Sequence, residues 1–253
     1  MCTLILLRRP QATWPLVLAA NRDEMIGRPW RAPARHWPDR PEVVAGLDEL
    51  AGGSWLGLND HGVVAGILNR FGTLGPAPGQ RSRGELVLDA LDHAEARDAA
   101  EALTALDPRA YRPFNLIIAD NRDAFWLRHA DAAGRAQITA TALAPGLALI
   151  AAGELDDPET PRLGRYRPRF AAAGAPDPGS ADWYAWESLL ADDEAAPGAG
   201  PTSALRFTTD RGFGTVSSAL IALPGAEHPA LEPVFRLRWW RPDATPWNEV
   251  LLR

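Results

Sequence analysis

The order of apolar runs and turn signals predicts a layered α+β protein. Three observations carry this. Candidate strands come in antiparallel-looking pairs around short turns, helical periodicity is concentrated in one central stretch, and no strand runs into a GxGxxG or GxxxxGK[ST] phosphate loop. Single strands alternating with helices, the mark of a Rossmann-type parallel sheet, are missing from the pattern.

The elements follow in chain order. Residues 2–7 (CTLILL) and 15–20 (PLVLAA) are short apolar runs joined by RRPQAT, a hairpin-like link. Residues 54–58 (SWLGL) and 63–68 (VVAGIL) flank NDHG, in which Asn59, Asp60 and Gly62 supply turn chemistry. The glycine-rich GGSWLG at 52–57 leads into strand-like sequence and reads as a hairpin approach. Between 82 and 108, SRGELVLDALDHAEARDAAEALTALDP places Leu86, Val87, Leu91, Ala94, Leu103 and Leu106 close to a 3.6 period, and Pro108 ends the helix. Ser82 with Glu85 three residues on has the form of a capping box. Residues 114–119 (FNLIIA) and 124–128 (AFWLR) flank the turn signal DNRD. Further strands are expected at 136–141, 147–152, 215–223 and 234–240, and helices over 161–173 and from Ser180. The Pro- and Gly-rich stretches 72–80 and 194–203 read as loops within one domain spanning 1–253, and no internal repeat is visible.

The totals exclude several classes. The 253 residues carry a net charge of −6, all 26 basic residues are arginine, and no basic cluster stands out. Nucleic acid is therefore not an expected partner, because phosphate binding needs concentrated positive charge. A single cysteine cannot form an internal disulfide, so nothing argues for an oxidising compartment. No segment approaches the ~20 apolar residues of a membrane helix. The opening lacks a basic n-region, and Arg8, Arg9 and Pro10 stop its apolar run. The expectation is a cytoplasmic protein without a membrane span; oligomeric state has no signal.

Cys2 is the first residue with chemical interest. Methionine is normally trimmed before a small residue, which would leave Cys2 with both a thiol and a free α-amine. That amine, with a pKa of about 7.7–8, suits the role of base for its own thiol. The alternative is a small hydrophobe in an N-terminal strand, since free cysteine is among the most buried residue types. In LAANRDEMIGRP, Arg22, Asp23 and Glu24 follow an apolar strand. If 15–20 pairs with 2–7, that strand returns near Cys2, and Asn21 and Asp23 share one face of the pleat. A carboxylate there can hold an ammonium, and Arg22 or Arg28 can bind an anionic group. A solvated turn with a weak surface ion pair is the competing reading.

These segments carry a resemblance. MCTLILL, LAANRDE, GLDELAGGSWLGLNDHGVVAGILNR, SRGELV, FNLIIAD, DDPETPR and GFGTVSSALIAL follow one another as in the NRDE family. That family is also called transport and Golgi organisation protein 2 and is named for this Asn-Arg-Asp-Glu motif. The resemblance implies the N-terminal-nucleophile hydrolase superfamily and a four-layer αββα sandwich. The opening is also similar to bile salt hydrolases and penicillin V acylases, in which an N-terminal Cys attacks an amide. By that match Cys2 is the nucleophile, Asn21 and Asp23 are the motif's Asn and Asp, and Asn69 is the oxyanion-hole Asn. Ala20 stands where the acylases carry Arg; Ala152 and Val216 stand where close relatives often carry Asn and Arg.

Two functions follow from the resemblance. One is an amidohydrolase acting on a non-peptide C–N bond of a small amphipathic substrate, with no cofactor. The other is a non-catalytic haem or acyl-CoA/lipid binding and trafficking protein on the same fold. Trp37 and Trp55, beside the matched motifs, are candidates for the wall of an apolar substrate pocket, as is Trp30. The five histidines show no metal spacing, and His36 alone would suit an axial haem ligand.

Overall fold

The computed structural model describes residues 2–132, 135–240 and 244–252, with backbone only at 131, 132 and 135. The chain forms two compact units. The first comprises Met1–Arg28 and Pro145–Val250, the second Pro29–Ala144 and Leu251–Arg253.

In the first unit, β1 (Thr3–Arg8), β2 (Leu16–Met25), β10 (Gly146–Ile150), β11 (Phe213–Leu223), β12 (Val234–Trp239) and β13 (Asn248–Glu249) form one sheet. Its order is β10-β1-β2-β11-β12-β13, with every pairing antiparallel. Helices α3 (Pro161–Ala173) and α4 (Tyr184–Leu190) cover one face. Alternation along the strands sends Ile5, Val17, Ala19, Leu149, Leu220 and Ala222 toward Leu163, Tyr166, Phe170, Trp186 and Leu190, which closes a buried core. The hairpin expected from RRPQAT forms, with Thr3 opposite Asn21.

In the second unit, β3 (Trp30–Ala34), β4 (Val43–Asp48), β5 (Leu56–Asn59), β6 (Val64–Asn69), β7 (Phe114–Ala119), β8 (Ala124–Ala132) and β9 (Arg135–Ala142) form a meander in chain order. Helices α1 (Gly84–Leu91) and α2 (Ala96–Thr104) pack on it through Leu86, Val87, Leu91, Ala99 and Leu103. Both expected turns are present. Asn59 and Gly62 close the β5–β6 link, with Gly62 at φ 85°, a region glycine enters without strain. Strands β3 and β4 were not foreseen; RPWRAPA lacks alternation, and a register shift between Arg31 and Ala34 interrupts the pairing.

The single helix expected between Ser82 and Pro108 is two helices. The Asn59 amide donates to the Leu91 and His93 carbonyls at 2.8 and 2.7 Å, taking acceptors a continuous helix would use. The Asp120 carboxylate accepts from Ala96 N–H at 2.9 Å and starts the second helix. The capping box does not form either: Glu85 turns outward to Arg81, at 2.8 Å from its Nε, and Ser82 Oγ accepts from Gly84 N–H. The helix expected from Ser180 begins at Tyr184, after a 3-10 turn at Pro178–Ser180. GGSWLG is a point of backbone contact: a Cβ on Gly53 would lie 2.4 Å from the Gly84 carbonyl carbon.

Candidate active site

The β1–β2 register places Cys2 beside the end of β2. Its sulfur accepts from Asp23 N–H at 3.3 Å and its thiol donates to the Asp23 carbonyl at 3.5 Å. The residue as a whole is partly exposed. Burial is nonetheless the main influence on the sulfur and pushes its pKa above the ordinary thiol value; the Asp23 charge adds to this. The chain's α-ammonium, the hydrogen bond with Asp23 and the Arg22 guanidinium pull the other way.

Asn21 and Asp23 occupy one face of β2, as alternation requires. Strand β11 reads the same face because a bulge intervenes: Thr215 pairs with Asp23, Ser217 with Arg22 and Ser218 with Asn21, with Val216 as the extra residue. The phase shift aims both hydroxyls at their partners. Thr215 Oγ1 donates to Asp23 Oδ1 at 2.7 Å, and Ser218 Oγ donates to Asn21 Oδ1 at 2.5 Å. Asn21 Nδ2 donates to the Leu190 and Leu205 carbonyls at 3.0 and 2.9 Å. Trp240 Nε1 extends the chain by donating to Ser218 Oγ at 2.8 Å.

Arg162, near the start of α3, was not foreseen. Its Nη1 donates to Asp23 Oδ2 at 2.9 Å and to Thr3 Oγ1 at 2.8 Å, and its Nε donates to the Thr202 carbonyl at 3.1 Å. The side chains of Asp23 and Arg162 are 0% and 2% exposed. The guanidinium also lies 5.2 Å from the Phe207 ring centroid. A signal for it exists in the sequence: Arg162, Tyr166 and Phe170 are spaced by four, so the arginine falls on the apolar stripe of α3, where a charge needs a buried partner.

The remaining candidates lie as follows. Arg22 is buried between Asn21 and Asp23 in sequence. Arg28 is half-buried and 3.8 Å from Glu24. Asn69, Trp37 and Trp55 belong to the second unit. Asn69 ends β6 opposite Phe114. Trp55 lies against Gly46, where a Cβ would meet its ring at 2.3 Å, and meets Trp30 edge-on at 5.5 Å. Trp37 Nε1 donates to the Gly52 carbonyl at 3.0 Å. A ring nitrogen of His36 lies 2.8 Å from the Ala32 carbonyl oxygen. Ala152 and Val216 are both buried. Among the described residues no His/Cys/Asp/Glu cluster could hold a metal, and no helix is long and apolar enough to cross a membrane.

Comparison with solved structures gives the fold. A Caenorhabditis elegans N-acylethanolamine-hydrolyzing acid amidase ortholog superposes with a TM-score of 0.60 over 90% of this chain and 95% of that one, at 13% identity. Penicillin V acylase from Agrobacterium tumefaciens gives 0.51 over 99% and 86%, at 12% identity. A mutant conjugated bile acid hydrolase from Clostridium perfringens gives 0.55 over 99% and 92%, at 11% identity. The fold is the α+β fold of the N-terminal-nucleophile hydrolases, and each unit here carries one sheet with its own helices.

Sequence comparison gives the family. The transport and Golgi organization 2 homolog of Mus musculus is 36% identical over 108 residues, and the Bos taurus homolog is 39% identical over 110. Each match covers 42% of this chain and 38% of the relative, so the aligned stretch spans well under half of those proteins. A family profile described as Transport and Golgi organisation 2 matches residues 1–174, more than half of the sequence, and the chain belongs to that family.

Proposed function

We propose that this protein is an N-terminal cysteine amidohydrolase that cleaves a non-peptide C–N bond in a small amphipathic substrate. The observation that carries the reading is the position of the sole thiol, partly exposed and bonded to the main chain of Asp23 at the end of the NRDE strand. With Met1 removed, the α-amine of Cys2 takes the thiol proton and the sulfur attacks the amide carbonyl carbon. The C–N bond breaks, the amine departs with that proton, and a thioester remains. Water then cleaves the thioester, releasing the carboxylic acid and restoring the thiol. In this reading Asn69 donates to the oxyanion, and Arg22, Arg28, Trp37 and Trp55 contact substrate.

The test is release of amine from a panel of N-acyl amines of graded chain length. Cys2→Ala is expected to abolish turnover, and Asn69→Ala to lower kcat about 100-fold, the usual effect of losing one oxyanion donor. Turnover that persists in Cys2→Ala removes the proposal.

A second reading, a non-catalytic carrier of haem or acyl-CoA, is favoured by Ala152 and Val216, which stand where close relatives often carry Asn and Arg. It requires a haem absorbance shift, or thermal stabilisation by an acyl-CoA, that survives Cys2→Ala in a protein without turnover.

A further inference from the structure

The Arg162 nitrogen Nη1 holds two groups at once, the Thr3 hydroxyl and the Asp23 carboxylate. Thr3 follows Cys2 in the chain, and Asp23 supplies the N–H that bonds the sulfur. One buried cation therefore anchors the main chain on both sides of the thiol. Thr215 fixes the other carboxylate oxygen, so the Asp23 side chain is held at both ends of its carboxylate.

We propose that Arg162 is the positioning residue of the Cys2 centre, acting through the Asp23 carboxylate to set the charge around the sulfur, with the Thr3 hydroxyl bracing the guanidinium. This rests on reading Cys2 as the reactive thiol. The role is specific to the Arg fork: one nitrogen bridges two acceptors while Nε is held by the Thr202 carbonyl. The charged groups bearing on Cys2 are Asp23 and Arg22 from β2 and the α-ammonium, with Arg162 from α3 paired to Asp23. Without Arg162 the carboxylate is an uncompensated negative charge beside the sulfur, and thiolate formation becomes harder.

Cys2 is the sole cysteine, so alkylation by iodoacetamide reads this centre alone and needs no substrate. The rate is followed against pH for wild type, Arg162→Met, Asp23→Asn and the double variant, with melting temperature recorded for each. Arg162→Met is expected to move the alkylation midpoint upward and slow the reaction at pH 7.5 about tenfold, the effect of one pKa unit. Adding Asp23→Asn is expected to restore the rate to within about threefold of Asp23→Asn alone, since the negative charge is then gone. An Arg162→Met protein that melts earlier but keeps the wild-type pH profile overturns the proposal. If Arg162→Met does not fold, Asp23→Asn and the double variant carry the test: coincident profiles support it, and a difference above about threefold overturns it. Because no turnover is measured, failure here is distinct from failure of the hydrolase reading.

Discussion

Every polar atom of the Asn21 amide is engaged inside the first unit, with both N–H groups on main-chain carbonyls and the oxygen on Ser218. The residue is 1% exposed. Its removal would take the amide donor from the Leu190 carbonyl and the acceptor from the Ser218 hydroxyl, each at a desolvation cost, while the Leu205 carbonyl would keep Thr215 Oγ1 at 3.1 Å. Asn21→Ala is therefore expected to lower stability by about 2–4 kcal/mol in urea unfolding. A loss below about 1 kcal/mol together with lost turnover would instead assign the amide to substrate. Adjacency within the NRDE strand was legible because strand alternation is a fixed rule: Asn21 and Asp23 share a face as expected. What fills that face was not legible. Leu190, Leu205 and Arg162 come from 139 to 184 residues away, and nothing local in the strand encodes them. The thiol's environment has a pH consequence. With Met1 in place, burial and the Asp23 charge raise its pKa, so in that chain the neutral thiol is favoured and alkylation at neutral pH should be slower than for a free cysteine, rising as pH passes the elevated midpoint. A midpoint at or below the free-thiol value, measured by the rate–pH profile, would contradict that picture.

Elements show the same division between local and distant causes. Hairpins with paired turn residues were read correctly because a two-fold side-chain period and Asn/Gly turns are local. The central helix was read as one piece because its own sequence permits it; Asn59 and Asp120, from neighbouring hairpins, divide it. The bulge at Val216 is likewise invisible in GFGTVSS, yet it brings Thr215 and Ser218 onto the Asp23 and Asn21 face. Helix α3 contains Pro168 in its interior at an exposed position, where it withholds an N–H from the Gly164 carbonyl. Pro168→Ala should raise stability by about 1–3 kcal/mol in thermal unfolding. No gain would mean that the ring shapes the helix that carries Arg162.

Across the whole molecule, charge is abundant but unequal in value. Exposed pairs such as Arg31–Glu49, with side chains 64% and 34% exposed, are screened by water, and Arg31→Ala should cost under about 1 kcal/mol. The enclosed Asp23–Arg162 pair differs, because breaking it leaves one buried charge alone, at about 3–5 kcal/mol. Comparing the two variants in one denaturant series checks this contrast, and equal costs would contradict it. The fold was legible at this scale because the motifs recur in one order along most of the chain, whereas the buried contacts of the thiol centre depend on residues those motifs do not connect. Among the 253 residues there is one thiol and no lysine, so an added acyl mass has few places to reside. Intact-mass spectrometry before and after an activated acyl donor is the most direct measurement. The account predicts a chain lacking Met1 that gains one acyl group at Cys2 and loses it again on hydrolysis. A chain that retains its methionine, or an adduct equally formed by Cys2→Ala, would contradict it.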